Sequence, residues 1–101
     1  RAATVAPVSA SPAPVLGFDG EGLFSIAPPA PRRIADVTGA GDALTGATVA
    51  ALLNGLPLRA ALREGIAASI LAIESTEAVP AFSAANFAQM LALVPGALEV
   101  A

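Results

Sequence analysis

Hydrophobic and polar positions divide this chain into an opening tract without periodicity, two short apolar runs and three stretches of helical period. Residues 1–14 are mostly Ala, Pro, Val and Ser, and Pro7, Pro12 and Pro14 prevent regular helix. An extended or poorly ordered lead-in is expected there, with room for the remnant of an edge strand. Val15-Leu16-Gly17-Phe18 and Leu23-Phe24-Ser25-Ile26 follow, separated by Asp19-Gly20-Glu21-Gly22, which is strong hairpin chemistry. An EF-hand needs several more oxygen ligands than this turn offers, so its acids read as solvated turn residues. Pro28, Pro29 and Pro31 then form a stiff connector to Arg32-Arg33, a pair that reads as a solvated face.

A long alanine-rich stretch follows the glycines at 39 and 41. It reads as helix after Asp42 to about Asn54, with Gly55 as its C′ residue and Pro57 opening the next element. In the second helix Leu58, Leu62, Ile66, Ile70 and Ile73 make a continuous apolar stripe. Ala61, Gly65, Ala68 and Ala72 form a row of small residues beside it, which predicts face-on packing against a neighbouring helix or sheet. Ser83 caps a last helix carrying Phe87, Met90, Leu91 and Val94, and Pro95-Gly96 ends it. Core packing accounts for all these aliphatic residues.

One segment asks for more than packing, the run Asp36-Val37-Thr38-Gly39-Ala40-Gly41-Asp42 ahead of the first helix. Gly39 and Gly41 put no side chain in the way of a ligand and can take positive φ. The first amides of a helix turn free N–H groups and the positive end of the dipole toward such a turn, so it suits an anion. A carboxylate among those donors, Asp42, competes with a phosphate unless it works beside it as a base on a nucleophile. The plainer alternative is a first-turn acid that favours the helix dipole. Spacing excludes the commoner phosphate loops. A P-loop needs Gly-Lys-Ser/Thr and the chain has no lysine, while G-x-G-x-x-G would need glycine in place of Leu44.

The run resembles the signature of the PfkB (ribokinase-like) family of carbohydrate and nucleoside kinases, written around G-A-G-D with a preceding D-x-T. Every letter of it is present. The resemblance continues through Ala43-Leu44-Thr45-Gly46-Ala47 to Glu74-Ser75-Thr76-Glu77-Ala78-Val79-Pro80 and extends over about residues 15 to 95. The latter segment looks most like pseudouridine kinases. The fold implied is α/β, the C-terminal portion of a ribokinase-like three-layer fold, with a short β-hairpin followed by three helices. Residues 15–101 would form the C-terminal part of the kinase domain and 1–14 its lead-in.

The activity implied is ATP-dependent phosphorylation of a primary hydroxyl of a sugar or nucleoside, pseudouridine favoured, by a cytoplasmic enzyme. Asp42 would accept the proton of the substrate hydroxyl, and the N–H groups of Gly39, Ala40, Gly41 and Asp42 would receive charge on the transferred phosphoryl group. Mg2+ would be organised mostly by residues upstream, and the complete protein would be a homodimer. Asp36 and Thr38 match positions that hold K+ in some relatives. The loop that supplies the remaining ligands reads Ser75-Thr76-Glu77-Ala78 here, without glycine, so a turn-forming role for Asp36 and Thr38 stays open beside the cation role. In the family this loop borders the adenine, which makes Ser75 and Thr76 nucleotide-edge candidates, while Glu74 and Glu77 read as solvated.

Composition narrows the remaining choices. At 101 residues, 55% hydrophobic and 13% charged, the chain is too apolar for a disordered tail and fits one domain or part of one. A net charge of −3 offers no basic field to nucleic acid or an anionic membrane. The absence of cysteine and histidine removes disulfides, thiol nucleophiles, His-based triads and most zinc sites. The uncharged stretch Ala43 to Leu58 is shorter than the roughly 18 to 20 residues a membrane span needs, and the lead-in lacks the leucine-rich region of a signal peptide. Because the family's sugar-binding residues and lid lie further N-terminal and the first residue is Arg1, the chain is expected to be the C-terminal piece of a larger kinase. The rival reading is a non-catalytic remnant that keeps the anion loop.

Overall fold

The computed structural model describes residues 13–35, 37–75 and 83–100. The lead-in expected over 1–14 therefore lies almost wholly outside the described residues, as do Asp36, Thr76 and Glu77. Chain order is β1 (Val15–Asp19), β2 (Gly22–Ile26), α1 (Ala40–Leu53), α2 (Leu58–Glu74), α3 (Ala84–Leu93) and β3 (Leu98–Glu99).

The hairpin forms where its turn chemistry places it. Asp19 pairs with Gly22 across the two-residue turn and Val15 with Ile26 at the open end. Gly22 takes a φ of 117°, and the Asp19 carboxylate accepts the Glu21 N–H at 2.9 Å. Alternation sends Phe24 and Ile26, both fully buried, to one face. Gly17 lies opposite Phe24, and its missing side chain leaves the space that the Phe24 ring fills.

β3 is an addition to the expected elements. It pairs antiparallel with β2, Phe24 with Glu99 and Ser25 with Leu98, giving the order β1-β2-β3. Two residues after a proline-glycine stop carry no readable alternation, so only the tertiary partner reveals the strand. The described residues thus build a three-stranded antiparallel sheet with helices on one face. Leu16, Phe18, Leu23 and Leu98 remain exposed on the other, so these residues show two of the three expected layers.

Helix α2 is the centre of the structure. Its apolar stripe meets the sheet and α3, and Ile66, Ala67, Ile70 and Leu71 join Phe24, Ile26, Met90 and Val94 in one core. Complete burial of each large aliphatic or aromatic side chain contributes about 1.5–3 kcal/mol. The row of small residues is buried too, Ala61, Gly65, Ala68 and Ala72 alike, and it carries α1. A Cβ built on Gly65 would stand 2.7 Å from the Leu44 carbonyl oxygen and collide with Thr48 Oγ1. Thr48 donates that hydroxyl to the same Leu44 carbonyl at 2.7 Å, so no polar atom is stranded in the contact.

Helix ends follow their sequence signals with small shifts. Gly55, at φ 91°, closes α1 in the left-handed conformation, with its N–H on Leu52 O at 3.0 Å and that of Leu56 on Ala51 O at 3.1 Å. Pro57 is the N-cap of α2, and Ser83 caps α3 by accepting the Asn86 N–H at 3.0 Å.

The two interior helical glycines test this packing in opposite directions. Gly65→Ala is expected to lower unfolding stability by about 1–3 kcal/mol through overpacking against Leu44 and Thr48. Gly46→Ala, where an added Cβ meets nothing within 4 Å, is expected to gain about 0.5–1 kcal/mol from helix propensity. Urea unfolding midpoints measure both, and a gain at residue 65 would show that α1 does not need the close approach.

Candidate anion-binding site at the N-terminus of helix α1

The helix opens at Ala40, three residues earlier than the sequence reading placed it. Gly39 is its N-cap at φ 86° and ψ −5°, and the first intrahelical bond runs from Ala43 N to Gly39 O at 2.9 Å. Gly39 therefore takes the left-handed conformation that favours glycine, while Gly41 lies within the helix. Ala40 N donates back to Val37 O at 3.3 Å, closing the turn. Gly41 and Asp42 occupy the second and third helical positions, where helix geometry provides no acceptor for an N–H. Both residues are exposed, and the Asp42 carboxylate stands in the first turn at the positive end of the dipole.

Two contacts with α2 hold this turn in place. One is the seating of α1 on Gly65. The other ties the connector preceding the turn to the last turn of α2, through carbonyls that a helix end leaves unpaired. Ala35 N donates to Ile73 O at 2.9 Å and Arg33 Nε to Glu74 O at 2.9 Å. The Glu74 carboxylate accepts Arg32 N at 2.7 Å, Arg32 Nη2 at 2.5 Å and Arg32 Nε at 3.1 and 3.2 Å.

This overturns the reading of Glu74 as solvated, while Arg32 and Arg33 lie exposed as read and are in addition paired with it. Glu74 is only 8% exposed, and the Arg32 guanidinium holds its carboxyl below the usual glutamate range. The 42-residue separation hides the pair from local patterns. A signal was nonetheless present, because an acid in the last turn of a helix opposes the dipole and so asks for a cation. Asp19 needs a similar correction. Arg59 Nε donates to it at 2.8 Å, which lowers its pKa, and Arg59 Nη1 reaches Glu99 at 2.5 Å.

The remaining candidates fall as follows. Ser75 is the C-cap of α2, half-buried, with its N–H on Ala72 O at 3.2 Å. Thr38 is exposed, one residue before the N-cap. Thr76 and Asp36 lie outside the described residues. Among the described residues no group of three or more Asp, Glu, His or Cys side chains is arranged to hold a metal ion, and no helix is long and apolar enough to cross a membrane.

The family model described as pfkB family carbohydrate kinase matches residues 2–85. The chain belongs to that family. A pseudouridine kinase of Arabidopsis thaliana is 47% identical over 53 residues, which is 52% of this chain and 14% of that protein. A solved carbohydrate kinase from Agrobacterium tumefaciens superposes with a TM-score of 0.60 at 39% identity, over 83% of this chain and 28% of that one. This PfkB chain thus spans a quarter or so, or less, of the relatives it matches.

Acid should weaken the ion pairs at both ends of α2, those of Glu74 beside the site and of Asp19 at the far end. Both Glu74 and Asp19 are held below their ordinary values of 4.5 and 3.8, so their contribution is present in full above those values and is lost as pH falls through the lowered ones. Thermal unfolding midpoints are expected to decline as pH drops below about 4.5. Glu74→Gln should start lower at neutral pH and lose less over the acid interval. An acid limb identical to that of wild type would mean that Glu74 does not contribute to it.

Proposed function

We propose that this chain carries the phosphoryl-transfer machinery of an ATP-dependent kinase acting on a primary hydroxyl of a sugar or nucleoside, with pseudouridine the favoured acceptor. The observation that supports it is the combination at the start of α1: a left-handed Gly39, helix-terminal N–H groups at Gly41 and Asp42, and a carboxylate in the same turn. Pseudouridine is favoured by the Glu74–Pro80 segment and by the likeness to the plant enzyme over half of the chain.

In this reading the acceptor hydroxyl stands beside Asp42 and the γ-phosphoryl group of ATP lies over the turn. The substrate oxygen forms its bond to phosphorus as the bond to the bridging oxygen of ADP breaks, and the hydroxyl proton passes to Asp42. An ordinary carboxylate suffices because the hydroxyl loses its proton only as the P–O bond forms, and such help contributes about 10² to 10⁴ in rate. Charge on the equatorial oxygens is received by the amides of the turn, which are oriented before the reaction begins. Mg2+ would neutralise phosphate charge, held mainly by residues outside this chain.

Asp42→Asn in the complete kinase is expected to lower kcat by at least about 10²-fold while leaving nucleotide affinity nearly unchanged, as read by initial rates and by titration calorimetry. Near wild-type transfer in that variant would remove Asp42 from the role of base. The 101-residue chain alone is expected to show no turnover of ATP with pseudouridine, since it spans only 28% of the solved kinase it resembles. Turnover by the chain alone would show that the machinery here is sufficient.

A further inference from the structure

The anion turn hangs between two supports, and only one of them is electrostatic. Behind it α1 rests on Gly65 of α2. Ahead of it, residues 32, 33 and 35 are tied to Ile73 and Glu74 at the far end of the same helix. Four peptide units separate the last of these ties, at Ala35, from Gly39, a reach of at most about 14 Å for extended chain. A shift of the connector has little slack in which to dissipate before it reaches the turn.

Glu74 organises this support almost alone. Its two carboxylate oxygens take the Arg32 N–H and guanidinium, and its own carbonyl takes Arg33. It is also the last residue of α2, directly before Ser75 and the loop proposed to border the adenine. One buried side chain therefore joins the lead-in to the phosphate turn and the start of the candidate nucleotide edge.

We propose that Glu74 is a positioning residue for phosphoryl transfer, holding the Gly39–Asp42 turn in place through the connector ahead of it without itself touching either substrate. This rests on the kinase reading above. Arg32 is its partner and contributes through the same contact. Small displacements of reacting groups are costly, with about 1 Å capable of removing 10²-fold in rate, so loss of the tie should appear in kcat rather than in acceptor binding.

In the complete kinase, Glu74→Gln is expected to lower kcat by about 10- to 100-fold and to leave KM for the acceptor within about threefold of wild type. Arg59→Ala is the control. It breaks the ion pairs at the opposite end of α2 and should lower the unfolding midpoint, yet keep kcat within about threefold. If Glu74→Gln does not fold, Arg32→Ala carries the test, because the Arg32 side chain is 63% exposed and its backbone N–H remains to bond Glu74. It should lose about 3- to 30-fold in kcat.

Amide hydrogen exchange in the same variants reads position independently of turnover. Ala35 should exchange at least about tenfold faster in Glu74→Gln while the strand amides of β2 stay unchanged. Wild-type kcat in the Glu74 variant, an equal kcat loss in Arg59→Ala, or unaltered exchange at Ala35 would each overturn the proposal. A wild-type protein inactive with every acceptor would instead overturn the kinase reading and leave the exchange result to decide whether Glu74 positions the turn.

Discussion

The absence of a side chain at residue 65 is the constraint on which the remaining structure depends. Helix α1 can rest on α2 only if backbone and side-chain oxygens at Leu44 and Thr48 come within a distance that no Cβ permits. The contact carries no charge and little apolar area of its own. It sets the separation of two helices whose small residues, Ala51 on α1 and Ala61, Ala68 and Ala72 on α2, are all buried. Because α1 begins at the glycine turn, the same contact fixes where its free N–H groups lie relative to everything attached to α2.

Charge completes what packing begins, and it does so around the same helix. Near the start of α2, Arg59 bridges Asp19 and Glu99, and its guanidinium lies 4.5 Å from the centre of the Phe24 ring, binding two strands and the core aromatic at one point. A turn later Arg63 donates to the carbonyls of Leu91 and Val94, satisfying acceptors at the end of α3. At the other end Arg32 and Arg33 close on Glu74. All four described arginines are thus engaged with carboxylates or helix-end carbonyls. The glycine turn offers an anion a different kind of donor, the backbone amides at the start of α1.

Which of these features a single sequence reveals depends on how far apart the interacting residues lie along the chain. The hairpin, the stripe on α2, the small-residue row and the Ser83 cap are local patterns, and each matches the structure. The ion pairs of Glu74 and Asp19 join residues 40 or more positions apart, and β3 is too short to show alternation, so neither had a local signal strong enough to read. The start of α1 was misplaced for a different reason. Two glycines stand in the motif and either can take positive φ, and only the folded turn shows that Gly39 does so while Gly41 is helical. For the site, sequence spacing had already grouped Gly39, Ala40, Gly41 and Asp42. That the connector before them is anchored about 40 residues away was signalled only by an acid, Glu74, in the last turn of α2, which asks for a cation without saying which.

The openness of the turn bears on what the described residues can accomplish chemically. Gly39, Gly41 and Asp42 face water, where a backbone N–H aimed at a phosphate competes with a high-dielectric solvent and is worth far less than in a closed site. The sheet is open in the same way, with Leu16, Phe18 and Leu98 each more than 60% exposed on the face opposite α2. Such an apolar patch marks a surface suited to contact rather than to solvent. Since the chain spans 28% of the solved kinase it resembles, both exposures have one physical resolution on the proposed reading. Residues from elsewhere in the kinase would cover the sheet and exclude water from the turn. The same anion loop would then act on a phosphoryl group in a low dielectric, where fixed dipoles stabilise the charge that develops during transfer.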